Sequence, residues 1–345
     1  MRFIKPDINL DFIGKRKIAY TLSLGLILLS IVSLISHGGP KYGIDFAGGT
    51  LIQVRFETPV KISALKSGLE ALKIAGSSVQ TFGDEGTNEY LIRTNLSEET
   101  GGEGFEDKLI EQFIKSTGAN PEIRRVEMVG PQVGKDLQEK ALLAIFFSLL
   151  FIAVYISGRF ELKWTLSGVI AAALMGGVYL LTLFSVSVAF LTVAALIITL
   201  ILFWFLELKY AMGAIVALIH DVTITVGIFS LLGLEFSLSI VAAILTIIGY
   251  SLNDTIIVFD RIRENLQKYP KKQLDLNINK SINETLSRTI LTSGTTLMVV
   301  VALFLFGGSI IHDFAFALLV GIGVGTYSSI YVASPILLAW QDRKK

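Results

Sequence analysis

The sequence contains no cysteine and only 7 prolines among 345 residues. Without cysteine there is no disulfide framework, no thiolate nucleophile and no cysteine-ligated metal. Charge is also scarce. Asp, Glu, Lys and Arg make up 17% of the chain, where a soluble domain carries about 25%. The formal net charge is +1, so no bulk positive field is available to hold nucleic acid. An A-x-A-like cleavage pattern is missing at Ser36-His37-Gly38-Gly39-Pro40, after the first apolar stretch. That stretch therefore reads as retained, not as a cleavable signal.

What the chain has in quantity is apolar surface: 52% of its residues are hydrophobic, and the mean hydropathy is +0.64. Residues 18–35 form one run, and roughly 20 apolar residues cross about 30 Å of hydrocarbon. Further runs lie at about 141–157, 165–184, 187–206, 211–232, 237–258, 289–306 and 314–338. The reading is an α-helical polytopic membrane protein of about eight spans.

Between the first run and the rest lie about 100 residues, 41–140, with 12 Lys and Arg against 16 Asp and Glu. Here the hydrophobic period changes. Residues 49–57 alternate like a strand, and 60–74 repeat at helical spacing behind a Thr58-Pro59 start. Residues 78–82 and 89–94 read as two strands around a Gly83-Asp84-Glu85-Gly86 turn. A second amphipathic helix is expected over 103–117 and a last strand over 122–129. The order β-α-β-β-α-β is that of a small α+β, ferredoxin-like domain.

The basic residues cluster at alternate ends of the runs. They are Arg2, Lys5, Lys15, Arg16 and Lys17; Arg159 and Lys163; Lys209; the loop 260–288; and Arg343, Lys344 and Lys345. The short connections between these ends, 184–187, 233–236 and 307–313, contain no Lys or Arg. The positive-inside rule then places both termini in the cytoplasm and 41–140 outside it. There is also an internal echo. Glu161-Leu162-Lys163-Trp164 returns 46 residues later as Glu207-Leu208-Lys209-Tyr210. Each motif closes one apolar run and opens another, so 165–206 reads as an extra, duplicated helical hairpin; chance likeness of apolar sequence is the other reading.

Ionisable groups inside a span are costly and mark functional candidates. Asp254 lies in Gly249-Tyr250-Ser251-Leu252-Asn253-Asp254-Thr255, late in an apolar run that Arg261 and Arg263 close. At 1.5 Å per residue it sits about 10 Å inside that end. Burial disfavours the charged carboxylate and a nearby cation favours it; a group between the two can take up and release a proton. A carboxylate that merely ties helices together is the alternative. Arg288 begins the 289–306 run at a similar depth and is the natural counter-ion, or else an interfacial arginine reaching for phosphates. Asn253 adjoins Asp254, and Thr292 opens a run of hydroxyls through Thr296. His220 and Asp221 sit near mid-membrane as a relay or as a self-satisfied pair. Gly48-Gly49 lacks the Lys-Ser/Thr of a phosphate loop and reads as a tight turn into the first strand. Gly101-Gly102-Glu103-Gly104 is a loop. No nucleophile constellation or metal-ligand cluster is apparent, and no cofactor is expected.

These residues resemble the SecF family, within the resistance-nodulation-division superfamily. The likeness is carried by Tyr42-Gly43-Ile44-Asp45-Phe46-Ala47-Gly48-Gly49-Thr50, Val129-Gly130-Pro131-Gln132-Val133-Gly134, Arg159-Phe160-Glu161, Ala217-Leu218-Ile219-His220-Asp221-Val222, the Asp254 motif, and Leu291-Thr292-Ser293-Gly294-Thr295-Thr296. It covers nearly the whole chain except 165–206, which departs from the usual six spans. The resemblance implies a non-enzymatic subunit that pairs with SecD and associates with the SecYEG channel, with YajC and YidC as further associates. It implies that proton flow drives export of preproteins across the bacterial inner membrane. It also implies that the proton site falls on Asp254 and Arg288 and takes a further carboxylate from SecD. A small-molecule or lipid exporter of the same superfamily is the alternative, although such a protein would favour a larger external region.

Overall fold

The computed structural model describes residues 9–342, other than 73, 75, 76, 84, 85, 95–103, 185 and 270–272. Arg2, Lys5, Arg343, Lys344, Lys345, the Asp84-Glu85 turn and Gly101-Gly102-Glu103 lie outside the described residues.

Eight helices among the described residues are long and apolar enough to cross a membrane. In hydrocarbon a backbone must satisfy its own hydrogen bonds, and a helix does so within one segment. The first, α1, is Arg16–Ser36. After a one-turn helix α2 (Ile44–Ala47) the chain enters the α+β domain: β1 (Gly49–Phe56), α3 (Ile62–Ala71), β2 (Ser78–Phe82), β3 (Glu89–Thr94), α4 (Phe105–Thr117) and β4 (Pro121–Val129). The remaining helices are α5 (Pro131–Glu161), α6 (Trp164–Thr182), α7 (Val188–Phe205), α8 (Lys209–Leu231), α9 (Leu238–Lys268), α10 (Leu274–Phe306) and α11 (Ser309–Ser328). A π-helical turn, Ser329–Ala333, joins α11 to α12 (Ser334–Asp342).

The four strands are antiparallel in the order β2-β3-β1-β4. Alternation sorts their side chains. Ile52, Val54, Phe56, Tyr90 and Ile92 point to one face and are buried with Leu65 and Leu69 of α3 and Leu109 and Phe113 of α4. Each such side chain contributes about 2 kcal/mol of apolar burial. The opposite face carries Gln53, Leu91 and Arg93 and borders a cleft of about 590 Å³ above the helix bundle.

Two motifs meet where the domain joins the bundle. Gly48 has φ +74, and a Cβ there would stand 2.9 Å from Pro131 Cα. A Cβ on Gly134 would stand 2.9 Å from the Phe46 carbonyl oxygen. The glycines let α2 lie directly on the first turn of α5. The junction is also tied to the α8–α9 loop. Gly43 N donates to Phe236 O at 2.9 Å and Phe236 N to Lys41 O at 2.8 Å. Asp45 Oδ2 accepts from Leu238 N at 2.8 Å. Arg93, reaching from β3, pairs with Glu235 in the same loop, and Lys41 Nζ lies 3.5 Å from that carboxylate. Burial draws the Arg93 pKa down and the Asp313 carboxylate opposes it.

The structure departs from the expected connection at 260–288. Most of it is helical, built from the ends of α9 and α10. Ile262, Ile278 and Ile282 are buried there, and Asn265 Nδ2 donates to Ser281 Oγ at 2.9 Å and Glu284 Oε2 at 2.8 Å. An apolar stripe at helical spacing runs through the charges, so the two helices continue pairing beyond the apolar region. The helix expected at 60–74 is the shorter α3, because the Tyr90 hydroxyl binds both the Val60 N–H, at 2.9 Å, and the Val60 carbonyl, at 2.6 Å.

Candidate functional site

Two carboxylates are sealed inside the bundle. Asp221, on α8, is 0% exposed, and Asp254, on α9, is 1% exposed. An ionisable group at such a place must be held by polar partners.

Asp221 has three. His220 Nδ1 lies 2.9 Å from Oδ1. Ser251 Oγ, from α9, donates to Oδ2 at 2.6 Å, and Ser328 Oγ, the last residue of α11, donates to the same atom at 2.8 Å. The network continues through the histidine. His220 Nε2 is 3.1 Å from Ser23 Oγ on α1, Ser23 Oγ is 3.1 Å from the Tyr327 hydroxyl, and that hydroxyl donates to Ala19 O at 2.8 Å. Hydrogen counting constrains this chain. The Tyr327 proton is committed to Ala19, so Ser23 must donate to Tyr327 and accept from His220. His220 Nε2 therefore carries a proton when every contact is made. The remaining proton lies between Nδ1 and the Asp221 carboxylate, giving either an imidazolium–carboxylate pair or two neutral groups.

Asp254 is held differently. Ser293 Oγ of α10 donates to its Oδ2 at 3.0 Å. Thr326 Oγ1 of α11 is 2.9 Å from Ser293 Oγ and 2.8 Å from Ile322 O. The two carboxylate sites share their supports. Ser251 precedes Asp254 by one turn on α9, and Thr326 precedes Ser328 by two residues on α11. A change at one site is thus mechanically placed to reach the other.

The other candidates lie apart from this polar layer. Arg288 is exposed on α10, and among the described residues no ion pair within 4.0 Å joins it to Asp254. The Arg288 charge nonetheless acts on the Asp254 carboxylate through space. Asn253 is exposed. Thr292 is half-buried, and its hydroxyl returns to the Arg288 and Thr289 carbonyls at 3.0 and 3.1 Å. Ser23, Ser251, Thr326, Tyr327 and Ser328 are members of the layer that sequence reasoning did not single out. Their signal is faint: hydroxyls in apolar helices commonly bond to their own preceding turn.

The arrangement can hold protons on two buried acids through hydroxyls from four helices, α1, α9, α10 and α11.

Comparison with known proteins gives consistent results. The family model described as "Protein export membrane protein SecD/SecF, C-terminal" matches residues 109–198 and again 181–343, and the "SecD/SecF GG Motif" matches 33–60. The chain is 41% identical over 337 residues to the protein translocase subunit SecF of Vibrio alginolyticus, covering 98% of this chain and 91% of that one. It is 42% identical over 339 residues to SecF of Magnetococcus marinus, covering 97% and 93%. Among solved structures, SecDF from Thermus thermophilus, a translocon-associated membrane protein, is similar with a TM-score of 0.72 and 32% identity over 99% of this chain. A SecDF structure in a super-membrane-facing form gives a TM-score of 0.64 at 33% identity. The chain spans 40% of the length of each of those two SecDF chains.

Proposed function

The chain belongs to the SecF family of protein-translocase subunits, and from that premise we propose that it works beside SecD to couple proton movement through Asp254 to export of preproteins. The observation that carries the reading is Asp254 itself, a carboxylate sealed in the bundle and held, among the described residues, by one serine hydroxyl. Such a group changes charge at a cost set by its few neighbours. Arg288 lies on the neighbouring helix, makes no ion pair within 4.0 Å among the described residues, and already acts on Asp254 through space. In the assembled complex it serves as the counter-ion, closing onto Asp254 together with a carboxylate from SecD. One charge crossing 100 mV releases about 2.3 kcal/mol, enough to tilt a balance between two orientations of the α+β domain.

In this reading the protein sits in the bacterial inner membrane with both termini in the cytoplasm. Lys15, Arg16, Lys17, Arg159, Lys163, Lys209, Arg261 and Arg263 all lie at one end of the spans, and the connections at the other end that join α6 to α7 and α10 to α11 carry no Lys or Arg. The α+β domain then faces outward, where an emerging preprotein meets it. SecYEG, YajC and YidC are the partners such a subunit implies, and anionic lipid meets the basic ends of α9 and α10.

The experiment is proton-dependent preprotein export in inverted vesicles carrying this chain with its SecD partner, comparing wild type with Asp254→Asn at equal assembly. Loss of the proton-dependent component supports the reading. Unchanged export sinks it and leaves Asp254 a structural acid.

A further inference from the structure

The inserted hairpin begins and ends at almost the same place. Glu161, the last residue of α5, turns its carboxylate to the start of α8 and accepts from Tyr210 N at 2.9 Å. Phe160 stacks on Tyr210, with centroids 5.1 Å apart and planes 25° apart, and both rings pack on Phe259 of α9. Lys163 Nζ donates to Leu206 O at 2.7 Å, bracing the outgoing chain against the returning one. Leu162 (φ 56) and Glu207 (φ 58) both adopt the left-handed conformation, which branched and long side chains enter only when the chain must reverse sharply. One of these residues lies at each end of the insert.

The capping bond has a revealing register. A residue that caps a helix normally receives the N–H two or three residues after itself. Three residues after Glu161 stands Trp164, and the residue that donates instead is Tyr210, its counterpart in the repeated Glu-Leu-Lys-aromatic motif. The bond thus behaves as though 162–207 were absent. The family match agrees. The SecD/SecF C-terminal family model matches in two segments, and these overlap at 181–198, inside the hairpin. Either α5 or α7 could precede α8 by sequence, since both end in the motif. The Glu161 and Phe160 contacts show that α5 holds the place beside α8.

We infer that residues 162–207 are a duplicated two-helix module spliced at one point into a six-span unit, and that this unit closes and works without it. The module has no Asp, Glu, Lys, Arg or His between Lys163 and Glu207. Leu180, Phe184, Phe190, Val193 and Phe205 are exposed on it. Its inner side packs on Phe146 and Leu150 of α5, and the buried Ser157 and Ser167 hydroxyls join the two helices at 2.5 Å. None of its described residues enters the polar layer around Asp221 and Asp254. It therefore widens the flank of the bundle against acyl chains and takes no part in proton movement.

The test deletes 162–207, joining Glu161 directly to Leu208, in the full chain expressed with its SecD partner. The expected result is a complex that copurifies with SecD and keeps proton-dependent export within about twofold of the parent, as independent sites do. A deleted protein that assembles but loses export overturns the inference. If the deleted chain does not accumulate, 164–206 is replaced by an unrelated apolar helical hairpin of the same length. Export by that chimaera supports a module with no role of its own in transport, and an assembled but inactive chimaera overturns it. The inference rests on the export reading, and copurification separates the two. If the parent itself shows no proton-dependent export, the export reading fails, while assembly of the deleted chain still reports whether the six-span unit closes.

Discussion

Ser293 Oγ lies 3.0 Å from Asp254 Oδ2 and is the hydroxyl that holds this buried acid. Ser293→Ala leaves the carboxylate with an unmet lone pair in an apolar surrounding. A hydrogen bond to a charged group contributes about 1.5–3 kcal/mol. Proton-dependent export in vesicles should therefore fall by about tenfold or more, with its pH profile displaced, while SecD copurification is unchanged. A profile that stays in place at equal assembly would show that Asp254 does not depend on this hydroxyl.

Asp221 shares a proton with His220 and accepts from Ser251 and Ser328, so its removal breaks three hydrogen bonds at once. Asp221→Ala should cost about 3–5 kcal/mol, the range for breaking a buried charged network. Asp221→Asn keeps an oxygen for the serines and should cost less. Thermal unfolding of the purified protein in detergent measures both. Glu111→Gln, at an exposed acid on α4, should change little. Equal melting for all three variants would remove the network from any account of stability.

Arg93 of β3 and Glu235 of the α8–α9 loop link the domain to the bundle and are only 24% and 14% exposed. Arg93→Ala and Glu235→Ala should each loosen the domain, and the double variant should cost less than the sum of the two. The coupling should be about 1 kcal/mol. Because the chain has no cysteine, an introduced pair at Tyr42 and Phe236, partners in a backbone bridge, gives a crosslink without background. Its yield should drop in both single variants if the ion pair seats the domain.

The spans and the ferredoxin-like order follow from periodicity, because lipid and a half-buried sheet impose distinct repeats on the residues that touch them. Eight runs in the sequence correspond to eight apolar helices, and 78–82 and 89–94 coincide with β2 and β3. What periodicity cannot convey is which faces meet. Ser251 and Ser328 stand 30 and 107 residues from Asp221, and their shared oxygen is visible only once α8, α9 and α11 are packed. The same limit hides the seating of Arg288, which is exposed and acts on Asp254 through space without a direct ion pair. The echo of Glu161-Leu162-Lys163 was readable, yet the bond from Tyr210 back to Glu161 was not, since local spacing points to Trp164.

Helix α5 follows β4 with only Gly130 between them and continues unbroken for 31 residues. At 1.5 Å per residue it is a rod about 46 Å long. Pro131 at its start fixes the angle at which the sheet is mounted. At its far end, Arg159 is fastened to Asp260 of α9 at 2.7 Å, on the same helix as Asp254. The sheet is thus carried on a lever whose foot is tied to the helix that carries Asp254. A tilt of about 10° at that foot would sweep the sheet through about 8 Å, a displacement on the scale of two residues of extended polypeptide.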